Sequence, residues 1–187
     1  MRAPQTIGLI FTVFWWSATF AATSWEEYLA VPSSANAKSV QTPTYTKPES
    51  QVKNGPGRLE VDLRVLADEI RAGDTESFYL GLRLRQASDI DGAAREFLDF
   101  TVADFLRIRP QEFLNGLVHY GTRHCDEAVY LDTDIFTDRF PAQAYVLQRR
   151  LEAIQRVMGA TTLKVRDLCV ATLRSAMKDA ESHTEDK

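Results

Sequence analysis

The chain has 187 residues, of which 44% are hydrophobic, and its 22 basic residues against 26 acidic ones give a formal net charge of -4. This length and apolar content are sufficient for one well-packed core and argue for a single domain. A mildly acidic chain without a basic aromatic patch is a poor candidate for binding nucleic acid or an anionic membrane surface.

The amino terminus has the pattern of an export signal. Arg2 precedes an almost wholly apolar run from Ile7 to Phe20, and Thr19 to Ala21 supplies small residues at the two positions that signal peptidase reads. The apolar run is shorter than the roughly 20 residues that a membrane-spanning helix needs. We therefore expect residues 1–21 to be a cleaved signal peptide, leaving a periplasmic or secreted protein with no stable membrane span.

Residues 22–57 are predicted to form a flexible linker. The part from Val31 to Gly57 contains four of the seven prolines and no Leu, Ile or Phe, so it offers little apolar surface to bury. Ser24 to Leu29, with the sequence SWEEYL, can form a short capped helical turn or remain disordered.

Residues 58–178 predict an all-helical domain of about seven helices, followed by a polar, disordered tail at 179–187. A first helix ending near Gly73 is indicated by apolar residues at steps of four, three and four: Leu59, Leu63, Leu66 and Ile70. The next segment alternates like a strand, with Phe78, Leu80, Leu82 and Leu84. No second strand-like run is available to pair with it, so a helix is favoured.

The stretch from Asp91 to Gly121 predicts two amphipathic helices separated by Pro110, which disfavours helical geometry at Arg109 but suits the first turn of a new helix. A short helix is expected within 125–136. Two further helices, 141–159 and 161–178, are separated by Gly159 and a capping threonine.

The helical segments group into three helix pairs, 59–86, 91–120 and 141–178. This grouping resembles the antiparallel helix pairs of HEAT-type and armadillo-type repeat proteins, which implies a short helical array; an irregular helical bundle is the alternative. A small, exported, all-helical chain with one cysteine pair is also similar to periplasmic immunity proteins, which neutralise toxins delivered by neighbouring bacteria.

Cys125 and Cys169 are the only cysteines and lie 44 positions apart in the sequence (169 minus 125). In an oxidising compartment an even number of cysteines favours a disulfide, which at this spacing stabilises a fold by about 3 to 4 kcal/mol. Two buried thiols in a helical core are the alternative.

No catalytic residue, metal ligand or cofactor is assigned. His124 stands beside Cys125, but adjacent residues on a helix point about 100 degrees apart, and a disulfide-bonded cysteine cannot attack a substrate. The spacing of His119, His124 and Cys125 matches no helical zinc pattern well.

An acidic run is the first candidate for contact with a protein partner, because charge complementarity steers and selects partners. Its members are Asp126, Glu127, Asp132, Asp134 and Asp138. An ordinary solvated acidic face, or a weak cation site, is the alternative interpretation.

We therefore expect a non-enzymatic, exported helical protein that binds another protein in the bacterial envelope, as an interaction, inhibitor or immunity-type module. One alternative is a small hydrolase or metal-dependent enzyme that uses His119, His124 and nearby carboxylates. Another is a structural or assembly component of the cell envelope.

Overall fold

The computed structural model describes residues 24–40, 57–86, 92–120, 125–131 and 140–185. Within these ranges the chain forms eight α-helices and no strand, which confirms the all-helical prediction. The helices are α1 (Trp25–Ala30), α2 (Ser34–Ser39), α3 (Gly57–Arg71), α4 (Thr75–Gln86), α5 (Gly92–Ile108), α6 (Pro110–His119), α7 (Phe140–Gln155) and α8 (Leu163–Glu185). Two single 3-10 turns, Asp126–Ala128 and Ala160–Thr162, complete the described structure.

Helices α3 to α8 form three adjoining helix pairs, α3 with α4, α5 with α6 and α7 with α8, and α5 contacts both α3 and α7. The turns of the three pairs lie at the same end of the molecule. A Cβ atom placed on Gly73 would lie 3.3 Å from Cγ2 of Ile108, and one placed on Gly159 would lie 3.0 Å from Nε2 of Gln111. We call this end of the molecule the turn end.

Helix α4 lies at the centre of the fold, in contact with α2, α3, α5 and α6. Its alternating apolar residues are all buried: Phe78, Leu80, Leu82 and Leu84. The strand-like pattern therefore arises because this helix is covered on most sides, which narrows the polar face that an amphipathic helix shows. Phe78 stacks on Phe105 of α5 at a ring-centroid distance of 4.1 Å.

Helix α1 confirms the capped helical alternative for Ser24 to Leu29, and α2 shows that the predicted flexible linker is wrong for residues 31–40. Ser24 caps α1 through a capping box, and Trp25 and Tyr28 are buried. The hydroxyl groups of Tyr28 and Ser77 of α4 are hydrogen-bonded at 3.0 Å. Two large aromatic side chains thus anchor a segment that is poor in Leu, Ile and Phe.

Arg83 of α4 fixes the end of α2. Its guanidinium donates to the carbonyl oxygens of Ala37 and Val40 at 2.7 and 2.9 Å, which satisfies acceptors that a helix end leaves open. The domain therefore includes residues well before Arg58. The predicted signal peptide and residues 41–56 of the predicted linker lie outside the described residues.

The carboxyl-terminal part also departs from the predictions. Helix α8 continues to Glu185, so the predicted disordered tail is wrong up to that residue. The polar stretch includes Lys178, Ala180, Glu181 and Glu185, which are good helix formers, so the helix can continue through it. Of the helix predicted within 125–136, the described residues 125–131 contain a three-residue 3-10 turn, and the rest of the range lies outside the described residues.

Candidate functional site: an aromatic groove between three helices

Cys125 and Cys169 form the predicted disulfide, with their Cα atoms 5.2 Å apart. Cys125 precedes the 3-10 turn, Cys169 lies in α8, and both side chains are buried. The bond ties residues 125–131, which we call the disulfide loop, to α8. A cysteine held in this way is not available as a nucleophile or as a thiolate ligand.

Glu127 is buried rather than exposed, so the structure contradicts its prediction as a partner contact. It accepts a hydrogen bond from Nη1 of Arg85 at 2.5 Å, and Arg85 also donates to Asp99 of α5. A buried carboxylate is stable at this position because the positive charge of Arg85 compensates it. Of the other residues in the predicted acidic run, Asp126 is exposed, whereas Asp132, Asp134 and Asp138 lie outside the described residues.

A second buried arginine holds the disulfide loop. Nη1 of Arg150 donates to the carbonyl oxygens of Ala128 and Tyr130 at 3.0 and 2.5 Å, and Nη2 donates to Asp104 at 3.3 Å. Burial lowers the pKa of Arg150 to about 10, although Asp104 opposes this shift. Arg85 and Arg150 therefore have structural roles in positioning the loop.

A groove opens between α2, α4 and α6, with a cavity volume of about 450 Å³. Its walls carry aromatic and charged side chains: Lys38, Glu76, Tyr79, Arg83, Asn115, His119 and Tyr120. Gly116 allows α6 to approach α4 closely, because a Cβ atom at this position would lie only 2.7 Å from Cε1 of Phe78. The groove is therefore built on two tightly packed helices.

Three aromatic rings line the groove. The rings of Tyr79 and Tyr120 are 6.0 Å apart between centroids, and the His119 ring meets Tyr120 edge-on at 4.7 Å. Tyr79 and Tyr120 are half-buried, whereas His119 is exposed. Each ring thus offers part of its surface to a ligand.

The charges near the two tyrosines differ. Burial raises the pKa of Tyr79, and the charges of Glu112 and Glu76 raise it further. Burial also raises the pKa of Tyr120, with the positive charge of Arg83 opposing and Glu76 reinforcing the shift. Both phenols are therefore neutral at physiological pH. The charges near Tyr79 are carboxylates, whereas the charge of Arg83 affects Tyr120 more than that of Glu76 does.

A cationic group is the chemistry that this arrangement fits best. An ammonium or guanidinium group binds over the face of an aromatic ring, and a neighbouring carboxylate adds charge pairing and hydrogen bonding. Lys38 and Arg83 also line the groove, and Arg83 keeps its positive charge although both of its Nη atoms are bonded to carbonyl oxygens of Ala37 and Val40. A ligand cation therefore fits best beside Tyr79, where Glu76 and Glu112 supply negative charge.

The sequence interpretation missed this groove, although one signal was present. Glu76, Tyr79 and Arg83 are spaced by three and four residues, which places them on one face of α4. Asn115 and His119 have the same relation on α6. A face of aromatic and charged residues on an otherwise buried helix is the pattern that could have indicated a binding surface.

His119 lies in this groove, and His124 lies outside the described residues. Among the described side chains, no group of three or more His, Cys, Asp and Glu residues could hold a metal ion. No helix in the described ranges combines the length and the apolar character required to cross a membrane.

Comparisons of the chain with protein-family models, curated proteins and solved structures give no match.

Proposed function

We propose that the protein is an exported, non-enzymatic helical module of the bacterial envelope, of the inhibitor or immunity type, which binds another protein through the groove between α2, α4 and α6. The observation that carries the proposal is that the Tyr79 and Tyr120 rings remain partly exposed in a groove that also contains Glu76. Tyr is among the residues that dominate binding energy at protein interfaces, because it combines a large apolar ring with a polar tip.

The partner is expected to insert a lysine or arginine side chain into the groove. Its cationic group would lie against Tyr79 within about 6 Å of the ring centroid and pair with Glu76. A cation–π contact of this kind contributes about 0.5 to 2 kcal/mol, and a charged hydrogen bond adds about 1.5 to 3 kcal/mol.

Rigidity supports the same function. The groove side chains project from helices whose packing leaves no room for a methyl group at Gly116, and Arg83 holds α2 against α4. A preformed site avoids the entropic cost of ordering its walls when the partner arrives. A disulfide with two buried sulfurs is consistent with residence in an oxidising compartment outside the cytoplasm.

The test is site-specific photo-cross-linking in the envelope of the producing cell. A photoreactive amino acid replaces His119 in the groove, and a matched control carries it at Arg174, an exposed position on α8. We expect one protein to be cross-linked from position 119 and not from position 174, and mass spectrometry of the product identifies it.

A conservative second variant separates binding from folding. Glu76→Gln removes the groove carboxylate while keeping its shape, and it is expected to weaken the cross-link at least about tenfold, the equivalent of about 1.4 kcal/mol. Identical products from positions 119 and 174, or a cross-link unchanged by Glu76→Gln, would count against the groove as the binding site.

A further inference from the structure

Two adjacent turns at the turn end carry exposed aliphatic side chains with basic side chains around them. Ile108 and Leu163 are 40% exposed, and Met158 is 82% exposed. Four exposed basic residues flank them, two from each turn. We call this set the turn surface; it consists of Arg107, Ile108 and Arg109 from the α5–α6 turn and Arg156, Met158, Leu163 and Lys164 from the α7–α8 turn.

The two turns are in direct proximity. The Gln111 side chain, one residue into α6 from Pro110, reaches the backbone of Gly159, where a Cβ atom would lie 3.0 Å from Nε2 and 3.1 Å from Oε1. Gly159 immediately follows Met158. The exposed aliphatic groups from the two turns thus belong to one face of the molecule.

The positive charge of the turn surface is not neutralised within the described part of the chain. There, Arg107, Arg109, Arg156 and Lys164 form no ion pair, while the nearby carboxylates of Asp104 and Asp167 pair with other arginines. The chain as a whole carries a net charge of -4, so this concentration of cations is local.

Helix stability does not explain Lys164. The first turn of α8 contains Lys164 and Arg166 and no acidic residue, although the positive end of a helix dipole favours acidic side chains there. Arg107 and Arg156 lie at or just beyond the ends of α5 and α7, where the dipole does favour cations. The position of Lys164 is therefore the clearest indication that these positive charges bind an anionic ligand.

We propose that the turn surface binds an anionic membrane surface. The four cations would meet lipid phosphate groups, and Met158, with Ile108 and Leu163 beside it, would enter the boundary between headgroups and acyl chains. Single aliphatic side chains that project from turns suit insertion between lipids. A protein interface of similar charge would be expected to centre on aromatic anchors in a pocket, and the turn surface has neither.

This inference does not rest on the groove. Helix α6 runs away from the turn end for ten residues, or roughly 15 Å, before it reaches His119. A domain lying with the turn surface on a membrane would keep the far part of the groove accessible to a partner. A variant that loses membrane binding can therefore still be tested for protein binding, and the reverse also holds.

The test uses a fluorophore whose emission depends on polarity, attached to the exported protein at Met158→Cys. The two native cysteines are bonded to each other, so only the new thiol is labelled. With phosphatidylglycerol vesicles we expect a blue shift that is absent with phosphatidylcholine vesicles. The same label at Tyr145→Cys, a position that is 66% exposed on α7, is expected to show no shift.

Charge variants give the second readout. Arg107→Gln/Lys164→Gln is expected to reduce the partition coefficient for phosphatidylglycerol vesicles about 25-fold, at about fivefold for each cation. Arg174→Gln/Lys178→Gln changes the net charge equally at exposed positions on the second half of α8 and should reduce it much less.

Three results would overturn the proposal. One is an unshifted label at position 158 with anionic vesicles, and another is an equal loss of binding in the two double variants. The third is a shift at position 158 with polyglutamate but not with vesicles, which would assign the turn surface to an acidic protein.

Discussion

Replacing Arg85 by Met is expected to destabilise the fold by about 3 to 5 kcal/mol. The Arg85, Asp99 and Glu127 side chains are only 15%, 9% and 7% exposed, so the variant leaves two carboxylates without their cation and with little access to water. Burial alone would lower the pKa of Arg85, but its bonds to Asp99 and Glu127 raise it above the ordinary value. Arg85 is therefore charged at every pH at which the fold is studied.

Further interactions are lost with the guanidinium. Cζ of Arg85 lies 5.4 Å from the ring centroid of Tyr130, so removing the guanidinium also removes a cation–π contact with the disulfide loop. The cost should arise mainly from the uncompensated carboxylates. A triple variant, Arg85→Met/Asp99→Leu/Glu127→Met, replaces the whole ion group by apolar side chains and is expected to recover most of the stability.

Urea unfolding followed by circular dichroism at 222 nm measures these free energies. Arg149→Met is the matched control, because Arg149 is 57% exposed and its pair with Glu152 is expected to contribute less than about 0.5 kcal/mol. A loss of less than about 1 kcal/mol in Arg85→Met, or a triple variant less stable than the single one, would refute the reasoning.

The remaining predictions concern three parts of the core. Tyr28→Phe should cost about 1 kcal/mol at pH 8 through the lost bond to Ser77. Burial raises the pKa of Tyr28 to about 12, so wild-type stability falls as the pH rises from 10 towards 12, and urea titrations should show the gap to the variant narrowing. Cys125→Ala/Cys169→Ala should lower the free energy of unfolding by about 3 to 4 kcal/mol in the same assay, and an unchanged midpoint would contradict this. Gly116→Ala should cost about 1 to 3 kcal/mol, although alanine favours helices, because its methyl group meets Phe78; a higher thermal midpoint would show that the two helices can separate freely.

Local signals in the sequence were sufficient to predict the helix pairs. The break before Pro110 is set by the geometry of proline itself, and α6 begins at that residue. The disulfide followed from the number of cysteines and the expected compartment. These features depend on short-range chemistry or simple counting, so no tertiary information was needed.

Features set by distant residues could not be predicted. Glu127 looked like part of an exposed acidic run, but its burial depends on Arg85, 42 residues earlier in the chain. The docking of α1 depends on Tyr28 meeting Ser77, which is 49 residues away. A polar residue takes a buried position only when its partner is already there, and composition alone does not show which partners meet.

The candidate site was missed for a related reason. Lys38, Tyr79 and His119 come from three different helices, and only the packing of α2 and α6 against α4 brings them to one groove. The turn surface likewise joins two segments that are about 50 residues apart. Net charge misleads here, because an acidic chain can still concentrate its cations on one face.

Cross-linking from position 119 in the envelope tests the central claim, that the groove binds a protein, most directly. We predict a single cross-linked protein, joined through a peptide that contains or adjoins a lysine or arginine, and a clear loss of this product in Glu76→Gln. The control at position 174 should not yield it. A folded protein that gives no groove-specific product from position 119 would contradict the account.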